Sequence, residues 1–300
     1  MYLGIEIGGT KLQLGVGPGD GTLAGLWRGN VDVDAGGEGI RRQILGAVPE
    51  LLRQSQVERS ALKRVGVGFG GPVDDATRSV IKSHQIEGWD GFALADWLGE
   101  SVGLPAVLGN DADVAGLAEA LFGAGQGMSP VFYMTIGSGI GGGLIVDGKI
   151  QRGTGRGAAE IGHLKVRDPR TGDGRLATLE SIASGWGIGE HASKVFGREI
   201  TAFEVGRAAA QGDAVARHLV GYALDALADA MCAAIVLVCP RRVVIGGGVS
   251  LMGDELFFEP LRRRIAERVF APFAGLTDLA PAALGEAVVV HGALALARRG

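Results

Sequence analysis

Three glycine turns follow β-type runs in this sequence: Gly8-Gly9-Thr10-Lys11, Gly137-Ser138-Gly139-Ile140-Gly141-Gly142-Gly143 and Gly246-Gly247-Gly248. Holding a phosphate requires backbone N–H groups that converge on one point, and glycine lets the chain come that close without a Cβ in the way. No G-x-x-x-x-G-K-[ST] occurs, so the turns are not a P-loop. Gly137-Ser138-Gly139 lies between two strands, where a dinucleotide turn would need a strand and a helix. Any one of the three reads as a plain hairpin. Together, with Thr10, Lys11 and Ser138 supplying hydroxyls and a cation, they point to a nucleotide held between two lobes. A carboxylate suited to proton transfer, Asp111, stands after a strand and at the start of a helical pattern. From the residues alone, Asn110 or Asp111 reads equally well as a helix N-cap.

The elements that must position these residues follow from periodicity. A meander of Leu3 to Ile7, Lys11 to Val16 and Thr22 to Trp27 opens the chain. A helix is expected over about Gly39 to Arg53, with Ile40, Ile44, Val48, Leu51 and Leu52 on one face. Then come a buried strand, Arg64 to Phe69, a helix around Gly91 to Val102, the strand Ala106 to Leu108 and a helix from Asn110 to about Phe122. A second meander, Val131 to Ile136, Gly139 to Val146 and Lys149 to Gly153, repeats the layout of the first and suggests an internal duplication. The rest is mostly helical, interrupted by the strand Arg242 to Ile245. This order predicts two α/β lobes, 1–115 and 116–285, with a C-terminal helix over about 286–300 free to pack back on the first.

Composition narrows the function. Lys plus Arg number 29 and Asp plus Glu 33, a net charge of −4, which removes the electrostatic reason to expect nucleic acid or an anionic membrane. Hydrophobic residues at 47% and charged ones at 21% are those of a folded protein, and 53 glycines without a Gly-X-Y period exclude collagen. No signal-peptide pattern opens the chain, and the longest apolar run, Ala230 to Cys239, is too short to span a bilayer. Cys232 and Cys239 share one apolar helical pattern about 10 Å apart, too far for a disulfide. They read as core thiols of a reducing, cytoplasmic compartment.

In order, Glu6-Ile7-Gly8-Gly9-Thr10-Lys11, Asn110-Asp111-Ala112, Ile136 to Gly143, Glu160-Ile161-Gly162-His163, Leu179-Glu180-Ser181 with Ser184-Gly185, Ile245 to Gly248 and Val290-His291-Gly292-Ala293 resemble the ROK family of sugar kinases and sugar-responsive repressors. The resemblance covers almost the whole chain. It implies a two-lobed actin-like ATPase (ribonuclease H-like) α/β fold with an active-site cleft between the lobes. It further implies ATP-dependent phosphorylation of a hexose at its 6-hydroxyl, a cytoplasmic homodimer, and ATP and Mg²⁺ as cofactors. Asp111 is then the expected catalytic base. Gly71, Gln85, Asn110, Asp111, Glu160, His163 and Glu180 would bind sugar. Gly8, Gly9, Thr10, Lys11, Gly137, Ser138, Gly139, Gly247 and Gly248 would hold the nucleotide, and Gly70-Gly71-Pro72-Val73 would close under phosphates or sugar.

Three departures qualify the resemblance. Glu6 stands where the family usually has Asp reaching the Mg²⁺ shell through water, which lengthens that reach by a methylene. Gln85 stands where an Asn ligand is common, which affects sugar preference; neighbouring His84 reads either as a contributor beside it or as a surface residue. Between His163 and Glu180 there is no cysteine of the family's zinc cluster, so no zinc is expected, and the Asp168-Pro169 turn and ion pairs should hold that loop. The sugar expected first is glucose, with N-acetylmannosamine, N-acetylglucosamine, fructose and allose as alternatives, and the donor, ATP or polyphosphate, is left open. A transcriptional regulator would carry a helix-turn-helix segment ahead of the first strand, which this sequence lacks. A catalytically silent sugar sensor keeps its place through Glu6 and Gln85. A glycosidase built on Glu160 and Glu180 leaves the glycine turns without a purpose.

Overall fold

A computed structural model describes residues 1–74, 76–83 and 86–300. The chain forms two compact units, Met1–Gly127 with Gly143–Ala158 and Ala283–Gly300, and Met128–Gly142 with Ala159–Ala282. A cut near residue 115 was the expectation. It would pass through the middle of one helix that is buried from Ala112 to Ala120, and so the first unit keeps that helix whole.

In the first unit, β1 (Tyr2–Ile7), β2 (Lys11–Gly17) and β3 (Gly25–Asn30) form the antiparallel meander. β3 begins three residues later than Thr22 because the Asp20 carboxylate accepts the Thr22 amide at 3.1 Å and its hydroxyl at 2.7 Å, which keeps the chain in a turn there. Helix α1 (Gly36–Ser55) is followed by β4 (Val65–Phe69), by the short hairpin β5 (Val73–Asp74) and β6 (Ser79–Val80), and by α2 (Leu94–Val102). β7 (Ala106–Asn110) then leads straight into α3 (Asp111–Phe122). The sheet order is β3-β2-β1-β4-β7, with β4 parallel to both β1 and β7. Leu3, Ile5, Leu12, Leu14, Val65 and Val67 make its interior, against Ile40, Ile44 and Leu51 of α1.

The second unit opens with β8 (Val131–Ile136), and β9 (Ile140–Val146) carries the chain back to the first unit, where β10 (Lys149–Ile150) pairs with it. A hairpin that the periodicity does not reveal follows, β11 (Lys165–Arg167) and β12 (Leu176–Thr178). Helices α4 (Leu179–Ala183), α5 (Gly185–Phe196), α6 (Ala202–Ala210) and α7 (Ala214–Val238) precede β13 (Arg242–Gly246). Helix α8 (Glu259–Arg268) and the unanticipated strand β14 (Asp278–Pro281) complete the unit, and β13 runs parallel to both β8 and β14. The order β10-β9-β8-β13-β14 repeats that of the first sheet, so the duplicated pattern is a duplicated topology.

Helix α7 is long and apolar enough to cross a bilayer on length and a mean hydropathy of 1.7, but 61% of that stretch is buried inside the fold. It is a core helix. Cys232 within it and Cys239, the left-handed residue that ends it, are free and half-buried, less enclosed than the core thiols expected.

Helix α9 (Val288–Arg299) belongs to the first unit and lies against β1, β4 and α3. Its approach is close enough that a Cβ at Gly66 would fall on the Ala293 carbonyl, and one at Gly292 on that of Val114. The segment leading to it is fastened by Glu119, a fully buried carboxylate on α3. Glu119 accepts the amides of Ala283 at 2.9 Å, Leu284 at 2.8 Å and Ala124 at 2.8 Å. Replacing it by leucine removes three part-buried hydrogen bonds to a charged acceptor, each worth about 1.5–3 kcal/mol. Urea unfolding of Glu119→Leu should therefore show a loss of about 3 kcal/mol or more, against a much smaller loss for an exposed control such as Glu190→Leu.

Candidate active site

In the first unit, the candidate residues gather at the carboxyl ends of β1, β4 and β7. The Gly8–Lys11 turn is closed by the Gly8 amide on the Lys11 carbonyl, 3.0 Å. The Gly70 amide donates to the Ile7 carbonyl at 2.8 Å, which ties the loop after β4 to the start of that turn. Over Gly70 lies Asp111, whose Oδ2 is 3.4 Å from where a Cβ at Gly70 would stand, within contact distance. Its Oδ1 accepts the Ala112 amide at 2.8 Å. Asp111 is the first residue of α3, at the positive end of the helix dipole.

Asn110 takes the cap position. Its Oδ1 accepts the amides of Ala112 at 2.9 Å and Asp113 at 3.3 Å, while its Nδ2 donates to the Gly71 carbonyl at 3.0 Å. The N-cap reading thus applies to Asn110, with one amide hydrogen left for another partner. Glu6 is buried on β1; burial pushes its carboxyl up, opposed by the Lys11 ammonium and the hydrogen bond from Gln13. Thr10 is exposed and Lys11 half-buried. Gln85 and His84 lie outside the described residues.

In the second unit, the two remaining glycine turns abut at the carboxyl ends of the parallel strands β8 and β13. Gly247 has φ of +87°, and a Cβ on it would meet the Ile136 backbone at 2.5 Å, so no other residue fits. The Gly137-Ser138-Gly139 turn is clamped from two sides. Its carbonyls accept the first amides of α5, Gly185 to Gly137 at 2.7 Å and Trp186 to Ser138 at 3.3 Å. Glu180 accepts the Ile140 amide at 2.8 Å through Oε2, an oxygen 2.5 Å from where a Cβ at Gly139 would be. Glu160 and His163 are both exposed on one 3₁₀ turn, and Gly162 between them packs so tightly on Ile140 that a side chain would strike its carbonyl. The structure therefore brings Glu180, and the 3₁₀ turn that carries Glu160 and His163, beside the Gly137-Ser138-Gly139 turn and Ile140. Ser138 and Gly248 are exposed beside them.

The stretch between His163 and Glu180 is the β11–β12 hairpin. Asp168, buried at its turn, receives Arg170 in a bidentate pair, Nε to Oδ1 at 2.8 Å and Nη2 to Oδ2 at 2.7 Å. Arg170 Nη1 also donates to the Ser181 carbonyl at 2.9 Å, next to Glu180. Two polar residues escaped the sequence reading. Gln13 is a buried amide in the run Leu12-Gln13-Leu14, a polar residue inside an apolar strand, which was a legible signal. Arg28, its partner on β3, gave none.

The ROK family model matches residues 2–300. A glucokinase from Halalkalibacterium halodurans is 31% identical over 97% of this chain and 93% of its own length. The ROK hexokinase of Thermus thermophilus superposes with a TM-score of 0.84 at 30% identity, over 99% of this chain and 97% of that one. A ROK family glucokinase from Streptomyces griseus, solved with glucose and AMPPNP, gives a TM-score of 0.79 at 29% identity, over 100% and 99%. The fold is that of the actin-like ATPases.

The Arg170 guanidinium holds the Asp168 carboxyl below the usual carboxylate range. A carboxyl depressed on folding contributes stability in full above its unfolded value, about pH 4, and loses it as pH falls through the folded one. The gap in urea midpoint between the unaltered protein and Asp168→Asn should be constant near neutrality and close progressively below about pH 4. A gap independent of pH down to about 2 would show that the pair contributes nothing through charge.

Proposed function

This chain belongs to the ROK family, and we propose that it is a sugar kinase that transfers the γ-phosphoryl group of ATP to the 6-hydroxyl of a hexose, with glucose as the first substrate. The observation that carries the reading is the Asp111 carboxylate on the first turn of α3, over the Gly70 backbone that is bonded to the root of the Gly8–Lys11 turn. The relatives named glucokinase and the glucose and AMPPNP bound to one of them support the sugar and the donor.

The sugar 6-hydroxyl is a poor nucleophile. Asp111 accepts its proton as the oxygen attacks phosphorus in line with the departing ADP, a step that asks for position and charge stabilisation more than covalent chemistry. Backbone N–H groups of the glycine turns, with Thr10, Lys11 and Ser138, meet the phosphate oxygens. Asn110, Glu160 and His163 bind sugar hydroxyls, the carboxylate as acceptor and the imidazole as donor or acceptor. Glu180 has one oxygen on the Ile140 amide and the other for a hydroxyl, so it couples the sugar to the turn.

Magnesium is the metal such chemistry uses to offset phosphate charge. Glu6, the residue expected to reach it, does not fit: Gln13 donates to its Oε2 at 2.7 Å and the Lys11 ammonium stands 3.4 Å from its Oε1. A second cation there would meet an ammonium group. Among the described residues, no group of three or more His, Cys, Asp or Glu is placed to hold a metal.

A coupled ADP-release screen across glucose, mannose, fructose, allose and the N-acetylated amino sugars tests the reading. Glucose should give the highest kcat/KM; a higher value with an acetamido sugar would move the substrate within the class, and turnover with none would end the kinase reading. Asp111→Asn should lower kcat by about 10²–10⁴, the usual share of a general base, with glucose affinity nearly unchanged. Glu160→Gln should weaken glucose binding and leave ATP binding intact, as separate calorimetric titrations would show.

A further inference from the structure

We propose that Glu6, Gln13 and Arg28 form a cross-strand relay that holds the Lys11 ammonium at the first glycine turn as a phosphate-binding cation, with Gln13 and Arg28 as positioning residues. The inference rests on the kinase reading and adds to it how the cation is placed. Glu6, Gln13 and Arg28 are successive register partners on β1, β2 and β3, Glu6 opposite Gln13 and Gln13 opposite Arg28. Side chains opposite one another project from the same face, so the three line up across the sheet.

The hydrogen bonds run in one direction. Arg28 Nε donates to Gln13 Oε1 at 2.9 Å. Gln13 Nε2 donates to Glu6 Oε2 at 2.7 Å and to the Glu286 carbonyl at 2.9 Å. Gln13 is 1% exposed, and a buried amide of this kind is kept only where its donors and acceptor are matched. Here both amide hydrogens and the carbonyl oxygen are used, so the amide cannot flip without setting an oxygen against the Glu6 carboxylate. That fixes Glu6, whose Oε1 faces Lys11 Nζ at 3.4 Å, and the same Nζ donates to the Glu286 carbonyl at 3.4 Å.

Two of the three ammonium hydrogens are thereby directed inward. The Lys11 side chain remains 43% exposed while that of Glu6 is 8% exposed, so the third hydrogen is on the open side of the pair. A free lysine would lose its rotamer freedom on meeting a phosphate; one already held by two acceptors has lost it beforehand, and affinity gains accordingly. Glu6 is in this account the internal counter-ion of Lys11. Arg28, on the edge strand, keeps Gln13 in the orientation that makes this possible.

The test is a fluorescence titration with an N-methylanthraniloyl derivative of ATP, with magnesium present and with EDTA, for Gln13→Met, Arg28→Met, Lys11→Met and the Arg28→Met/Lys11→Met pair. Each single substitution should weaken binding by the same factor in both conditions, about tenfold for Lys11→Met and somewhat less for the other two. Adding Arg28→Met to Lys11→Met should cost nothing more, since the relay acts only through the lysine. Glucose affinity should not move. A loss confined to the magnesium titration would return Glu6 to a metal shell and overturn the proposal. So would unchanged affinity in Arg28→Met, or full additivity in the double variant. Arg28 is exposed, so its variants remain informative if the buried Gln13→Met fails to fold. Unaltered protein that binds no nucleotide would end the kinase reading itself, a result separate from all of these.

Discussion

Close approach of backbone to backbone at the ends of parallel strands is the constraint on which the rest of this molecule depends. Where Gly247 meets Ile136 and where Gly162 meets Ile140, no Cβ can be admitted. Only glycine admits turns this tight, and backbone N–H groups that converge on one point make an anion site. A high glycine content is thus spent partly on bringing chain segments into contact distance. The same demand recurs away from the turns, where α9 lies on β4 through Gly66 and against α3 through Gly292.

Glycine gives closeness but no rigidity, and side-chain carboxylates supply what it lacks. Glu180 takes the Ile140 amide and so fixes the turn before it, Glu119 takes two amides at the return into α9 and one after α3, and Asp168 gathers Arg170 against the turn of its hairpin. Each exploits the strong hydrogen bond of an ionised acceptor to a backbone or guanidinium donor. None of the three is a surface ion pair of the kind that adds little stability. The division of labour is visible at Asn110 and Asp111: the neutral amide caps the helix, and the carboxylate beside it lies over Gly70.

Much of the fold was legible in the sequence because buried strands and glycine turns alternate so regularly. The limits of β8 are those read from the sequence, and the two meanders have the same sheet order. The short strands were not legible. β11 and β12 have three residues each, too few for a period of two to register, and β14 contains a proline that reads as a break. The start of β3 was misjudged because Asp20 captures Thr22, a local bond that competes with pairing. At the candidate site, residue types named Asp111, Glu160, His163 and Glu180, but not what they touch. Glu180 reads as a free carboxylate until its contact with the Ile140 amide is seen, and the distance from Glu180 to Ile140 along the chain hides it.

The Glu6 position illustrates why residue type alone misleads at such sites. Read singly, a carboxylate before a glycine turn suggests a cation, and an added methylene suggests only a longer reach. The neighbours across the sheet change the meaning. Gln13 finds an acceptor for one amide hydrogen in the carboxylate on β1, and the charge of that acceptor also holds Lys11. Alternation places residues 6 and 13 on one face and makes them neighbours through the hairpin turn itself. A carboxylate, an amide and an ammonium in that register neutralise one another in place, and the surplus positive charge of Arg28 stays at the exposed edge. The glycine turn and its cation are consequently one structural unit, set by the pairing of β1 with β2.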